Sequence, residues 1–231
     1  MPVENKHPCF ILVNPQMGEN IGASARGMWN FGIDRMRIVS PRDGWPNQKA
    51  VVMASGAGRL LDEALIFQNF TDAIADQHFI FATTARPRDL IKPIYSPEEA
   101  VELAYDKISK GQNVGFAFGP ERSGLENSDI IKANAIVSVP VNEQFPSLNL
   151  AQCVLLLAYE WMLKSSKLSD DQANIEQPEM VTSMQVQKLS KYFESTLEEV
   201  GFFYPEDKME SMKINFRNMW SRMPLPHRYH S

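Results

Sequence analysis

The chain has 231 residues, is 44% hydrophobic and 22% charged, and carries a formal net charge of −5. That balance excludes a disordered chain and argues against a protein that coats nucleic acid by charge alone. With no apolar run of transmembrane length and no signal-peptide core in MPVENKHP, a cytoplasmic globular protein is expected.

In chain order, the apolar run Cys9–Val13 reads as a strand, and Glu19–Phe31 as a helix with Ile21, Ala25, Met28 and Trp29 on one face and Gly32 as its stop. Met36–Val39 is a second strand, closed by the turn-rich PRDGWPN segment. Ala50–Phe67 reads as one helix loosened by Gly56 and Gly58, and His78–Thr83 as a third strand. Ser96-Pro97-Glu98-Glu99 is a capping box that opens a helix ended by Gly111. Asn113–Phe118 and Ala135–Val141 are further strands, with a short helix near Asp129–Asn134 between them. Then comes FPSLNLAQCVLLLAYE (145–160), where Ser147 reads as the cap and Asn149 falls in the first turn. Leu150, Val154, Leu157 and Trp161 recur at helical spacing, and the helix is expected to be buried nearly all round. Strand and helix thus alternate from residue 9 to about 164. The expected fold is α/β, a mostly parallel sheet with helices on both faces.

Residues 165–183 are polar and aperiodic and read as a linker. After it, Val186, Leu189, Tyr192, Phe193 and Leu197 mark one amphipathic helix, and Ile214, Phe216 and Trp220 a second. This small extension (184–231) is expected to dock on the main domain or on a second subunit. Charge is uneven: residues 160–207 hold ten acidic and four basic side chains, and residues 208–231 hold one and five. Such a basic end can meet phosphate or form an ordinary solvated or subunit-facing surface. Cys9 and Cys153 lie in apolar segments and read as buried thiols, and the four histidines lack metal-ligand spacing, so no structural metal is expected.

Ligands of parallel α/β sheets sit at the carboxyl ends of strands. Three loops there have unusual composition: Asn14–Arg26, Thr83–Arg88 and Gly119–Leu125. Pro146–Asn149 forms a fourth stretch of the same kind. Arg26, Arg86, Arg88 and Arg122 lie in or beside these loops and offer planar donors suited to phosphate, although each taken singly is ordinarily a surface ion pair. Common nucleotide motifs are absent. Gly56-Ala57-Gly58 follows a helical segment, Leu61 occupies the third glycine position of a dinucleotide fingerprint, and neither a P-loop lysine nor a G-x-S-x-G elbow occurs.

ENIGASAR (19–26), TTARPR (83–88), FGPERSGL (118–125) and IVSVPV…FPSLNLAQ (136–152) resemble the three motifs of the SpoU/TrmH branch of the SPOUT methyltransferases. The likeness covers about residues 9–164 in order and spacing. It is nearest the TrmJ type, tRNA 2′-O-ribose methyltransferases that act in the anticodon loop. Phe202–Pro205 and NFRNMW (215–220) look like the helical extension of that type.

The resemblance implies a C-terminal trefoil knot, an exception to the rule against knotted chains, and S-adenosyl-L-methionine as cofactor. It implies cofactor contacts from Thr83, Thr84, Ala85, Gly119, Val139, Pro146, Ser147 and Leu148. It places Arg26 at the reaction centre with Asn20, Glu121, Ser147 and Asn149 around it, and it implies a homodimer in which the arginine comes from the other subunit. Arginine is a poor base, so a role in fixing the target phosphate and stabilising negative charge on the 2′-oxygen is expected of Arg26. For Glu121, tying down its loop through Arg122 or main-chain N–H groups is an equal alternative, and Asn149 is expected to cap its helix. Phe145 stands where some relatives carry tyrosine, and the chain is expected to stop short of the type's last helix. Two other readings remain open: a ribosomal RNA methyltransferase of the same fold, and a non-catalytic RNA-binding module.

Overall fold

The computed structural model describes residues 6–84, 92–166, 180–223 and 225. Seven strands are present: β1 (Cys9–Val13), β2 (Arg35–Val39), β3 (Leu65–Phe67), β4 (Phe79–Thr83), β5 (Ile94–Tyr95), β6 (Val114–Phe118) and β7 (Ala135–Val137). All pair in parallel, in the order β3-β2-β1-β6-β4-β7-β5. Every residue of β1 and β6 is buried, as a strand covered on both faces requires.

Helices divide between the two faces as strand alternation dictates. Phe10, Leu12, Phe81 and Phe116 face one core with α1 (Gly18–Asn30), α2 (Gln48–Ala54), α3 (Gly58–Asp62), α5 (Pro97–Ser109) and α7 (Leu150–Ser166). Cys9, Ile11, Ile80 and Ala82 face the other with α4 (Phe70–Ala73) and α6 (Asn127–Lys132). Stacked Phe81 and Phe116, 4.8 Å between centroids, join neighbouring strands in the first core.

Three expectations need correction. Ala50–Phe67 is not one helix: Ser55 and Gly56 take left-handed φ values of 42° and 90°, which break it into α2 and α3, and its end is β3. Ala135–Val141 is strand only to Val137. The helix α7 buries Leu150, Val154, Leu157, Ala158 and Trp161, but its opposite side is not buried: Leu155, Leu156, Tyr159 and Met162 face solvent.

The extension consists of α8 (Ser183–Glu199), a 3-10 turn at Glu206–Lys208 and α9 (Met209–Arg222). The two helices pack through Phe193 stacked on Trp220 and through ion pairs from Lys213 to Glu198 and from Arg217 to Glu194. Half of the described cations in the basic end are therefore tied to α8. The extension docks on its own chain. Ser183 N–H donates to the Gln77 carbonyl at 2.6 Å, and α9 lies on α6. Gln77 precedes β4, so this contact is at the amino edge of the sheet. Among the described residues no helix is long and apolar enough to cross a membrane.

Candidate active site

At the opposite, carboxyl edge, the chain segments that follow β4, β6 and β7 enclose a cavity of about 220 Å³. Thr83, Thr84, Gly119, Val139, Pro146, Ser147 and Leu148 all line it. Ala85, Arg86 and Arg88 lie outside the described residues. Sequence reasoning missed several other wall residues, among them Val137, Val141 and Cys153. The body of the cavity is apolar, from Phe118, Val137, Val139, Val141, Leu148 and Leu150. Hydroxyls come from Thr83, Thr84, Ser123 and Ser147.

Each wall has a local cause. Gly119 is required because a Cβ there would lie 2.1 Å from the Leu125 N, where the loop folds back on itself. Gly124, at φ 68°, closes that loop with a hydrogen bond from its N–H to the Pro120 carbonyl. The third wall, Pro146–Leu148, leads into α7. Asn149, not Ser147, caps this helix: its Oδ1 accepts from the N–H groups of Ala151 and Gln152, and Gln152 Oε1 accepts from its own N–H. Ser147 is thereby left to the cavity. Among the described residues the N–H groups of Val139, Ser147 and Leu148 have no hydrogen-bond partner, so a ligand can be read by main-chain groups there. Burial pushes the Cys153 thiol up to about 11, with the Thr83 hydroxyl acting the other way; Cys153 is a packing group in this wall.

Beside the cavity a relay of polar groups joins the segments after β6 and β7 to the loop after β1 and the start of α1. Glu121 accepts from the N–H groups of Gln16 (2.8 Å) and Met17 (3.2 Å) and from Asn20 Nδ2 (2.7 Å). Asn149 Nδ2 donates to Asn20 Oδ1 at 3.0 Å. Met17, the N-cap of α1, makes no side-chain cap of its own. The Glu121 carboxylate therefore supplies from another loop the acceptor and the negative charge that a helix N-terminus favours. Main-chain N–H groups, and not Arg122, are the partners that fix Glu121.

Arg26 is elsewhere. It follows Asn20 by six residues on α1, which at 100° per residue turns it about 240° away from the relay. It is exposed, does not line the cavity, and makes no hydrogen bond or ion pair with a described residue. Three residues on, Trp29 shares its side of the helix and is 44% exposed.

The cavity and its walls fall within a stretch of the chain that matches a known family. The model of the SpoU rRNA Methylase family covers residues 8–159. The chain belongs to this family. Among its SpoU relatives, the tRNA (cytidine-2′-O-)-methyltransferase TrmJ of Methanocaldococcus jannaschii is 33% identical over 92% of this chain and 90% of its own. The tRNA (cytidine/uridine/adenosine-2′-O-)-methyltransferase TrmJ of Pseudomonas aeruginosa is 30% identical over 93% of this chain and 86% of its own. In three dimensions, TrmJ from Z. mobilis ZM4 superposes with a TM-score of 0.81 at 40% identity, covering 93% of this chain and 90% of that one.

Proposed function

We propose that the protein is an S-adenosyl-L-methionine-dependent tRNA methyltransferase that modifies a ribose 2′-hydroxyl, on a cytidine or uridine of the anticodon loop. The observation that carries this reading is the carboxyl-edge cavity, whose walls are the same three segments that mark the family. Full-length likeness to tRNA 2′-O-methyltransferases supports tRNA over ribosomal RNA. A tRNA substrate in turn puts the enzyme in the cytoplasm. Residues 1–164 form the methyltransferase domain, knotted where 118–152 fold back, 165–183 the linker and 184–231 the extension.

The cavity fits the cofactor chemically. Its apolar body suits an adenine ring and a methionine chain, while unpartnered main-chain N–H groups and the Thr83, Thr84 and Ser147 hydroxyls suit the polar edges. Ala85 joins them as the residue after Thr84. The cofactor supplies an electrophilic methyl on a sulfonium, displaced in line with a neutral leaving group, so the residues need no general acid. What they must do is orient the weakly acidic 2′-hydroxyl and ease loss of its proton. Asn20, Glu121 and Asn149 hold the segments after β1, β6 and β7 in fixed relation. Ser147, free of capping duty, faces the acceptor side. Arg26 fixes the target phosphate and stabilises negative charge on the 2′-oxygen.

Arg26 reaches a pocket only across a dimer. Trp29 on α1 and Leu155, Leu156, Tyr159 and Met162 on α7 form one exposed apolar surface, with Phe31 against Tyr159 (5.6 Å) joining the helices. A second copy seated on this surface places Arg26 at the interface, beside the partner's cavity. A monomer by light scattering at micromolar concentration would count against this arrangement.

The deciding experiment incubates the enzyme with labelled S-adenosyl-L-methionine and total tRNA or rRNA, then maps the 2′-O-methyl group by nuclease digestion and mass spectrometry. Label in an anticodon-loop ribose is expected. Label only in rRNA replaces the substrate, and no label with intact binding of S-adenosylhomocysteine makes the protein a binding module.

A further inference from the structure

Among the groups that hold the extension to the α/β domain is one buried lysine. Lys92 is 7% exposed, and its ammonium donates to three acceptors: the carbonyls of Ile131 (3.0 Å) and Ala133 (2.6 Å) at the end of α6, and Ser221 Oγ (2.7 Å) on α9. Among the described residues no carboxylate pairs with it. The charged groups on the packed elements are Asp129 and Lys132 on α6 and Glu210, Lys213, Arg217 and Arg222 on α9; Arg217 engages Glu194 and Glu210, and Lys213 engages Glu198. Asn134 completes the clasp. Its Nδ2 donates to the Ser221 carbonyl, and its Oδ1 accepts the Ile80 N–H of β4 at 2.7 Å.

These three atoms satisfy the amine in either protonation state. Charged, it donates to all of them while the Ser221 hydroxyl donates to the Asn218 carbonyl at 3.0 Å. Neutral, it keeps two donors for the carbonyls and can accept the Ser221 proton on its lone pair. Burial, with Arg222 beside it, pushes Lys92 down to about 7.

Lys92, Asn134 and Gln77 each stand just before a strand, β5, β7 and β4 respectively. The clasp is thus at the amino edge, whereas the cavity is at the carboxyl edge. Five residues of β4 separate the two by about 17 Å at some 3.3 Å per residue. An RNA that meets both must bridge a span fixed by the clasp.

We propose that Lys92 is a positioning residue: through Ser221 it fixes the helical extension at the amino edge, and so sets where the extension meets an RNA whose target ribose lies beside the cofactor cavity. The RNA half of this rests on the proposed function; the docking half does not.

Two variants test it on the full-length protein. Lys92→Met removes the amine, and Ser221→Ala cuts only the bond between the two parts. Expected for both are S-adenosylhomocysteine affinity and kcat within twofold of wild type, an RNA KM raised about tenfold, and amide exchange of 209–222 faster by about tenfold relative to 18–30. The double variant should match the single ones, since both remove one interaction. Lys92→Arg should restore part of the RNA affinity. Because docking lowers the amine from its usual 10.5, docking releases a proton, and protection of 209–222 should rise between pH 7 and 9 in wild type but not in Lys92→Met. Unchanged exchange in Ser221→Ala overturns the clasp. Faster exchange with an unchanged RNA KM overturns the positioning role, and so does a kcat or S-adenosylhomocysteine defect with KM intact. If wild type methylates no RNA, the proposed function fails, while the exchange and pH measurements still decide the docking.

Discussion

At its carboxyl edge the sheet ends in loops that keep main-chain N–H groups free around an apolar cavity, whereas at its amino edge the Lys92 ammonium and the Asn134 side chain are closed onto the extension. Glu121, Asn20 and Asn149 at the first edge are held by each other, but Ser147 and the 147–148 main chain are left for a ligand. At the second, Lys92 and Ser221 are buried and bonded to each other, and half-buried Asn134 bonds the Ser221 carbonyl. The groups named at one edge are left for a ligand, and those named at the other join two parts of the chain. The contrast predicts that substitutions at the carboxyl edge act mainly on turnover and those at the amino edge mainly on stability.

Arg26→Ala should give the largest effect, a fall of about 10²–10³ in kcat at saturating RNA and cofactor, the range for removing a group that stabilises developing charge. Stability should stay within about 0.5 kcal/mol, because Arg26 is exposed. Methyl-transfer assays and urea unfolding check both halves, and near-wild-type turnover would sink the role given to this arginine.

Glu121→Ala is the variant that blurs the contrast, since the carboxylate both shapes the site and caps α1. Losing it strands the Gln16 and Met17 N–H groups and the Asn20 amide, at a cost of about 2–3 kcal/mol. Turnover should fall as well, by about tenfold, as Asn20 and Asn149 lose register. Unfolding midpoints and kcat measured on the same preparation separate the two losses.

Asn134→Ala belongs to the amino edge alone. It leaves the Ile80 N–H of β4 unpaired and frees the Ser221 carbonyl, which should cost about 2 kcal/mol. Cofactor affinity should hold within twofold, by calorimetry with S-adenosylhomocysteine. A large loss of affinity with unchanged stability would reverse the assignment of the two edges.

The fold was legible where the chain carries strong periods. The apolar runs of β1, β2, β4, β6 and β7 and the capping box of α5 announce themselves locally. β3 and β5 do not. They are three and two residues long, with Leu65 and Ile94 largely exposed, and exist because β2 and β7 offer them a parallel register. The break at Ser55–Gly56 was hidden because helical apolar spacing continues across it. At the site, the loops were readable, since glycine and proline mark close turns, whereas the wall residues Thr83, Thr84, Gly119, Val139, Pro146, Ser147 and Leu148 came from the family resemblance. The members of the Glu121 relay were grouped only by the family resemblance, because Asn20 lies 101 residues from Glu121 and 129 from Asn149 and no local pattern joins them. The direction of Arg26 was not readable, since it depends on how α1 is rotated against α7.

The smallest expected effect lies at the amino edge and depends on pH. Buried Arg37 on β2 binds the Asp76 carboxylate through both guanidinium nitrogens and also donates to the Ala73 carbonyl at 2.6 Å. Burial alone would raise Asp76, but hydrogen bonds from Arg37 and Gln77 outweigh it and hold the carboxyl at about 2, below its ordinary 3.8. A carboxyl lowered by folding adds stability that is complete above its unfolded value and is lost as pH falls through its folded value. The window is therefore pH 4 down to 2. Asp76 is half-exposed, so solvent screening reduces the contribution to about 1 kcal/mol. Urea midpoints for wild type and Asp76→Asn should differ at pH 6 and converge near pH 2, and a gap that persists there would mean that the pair acts through packing and not through charge.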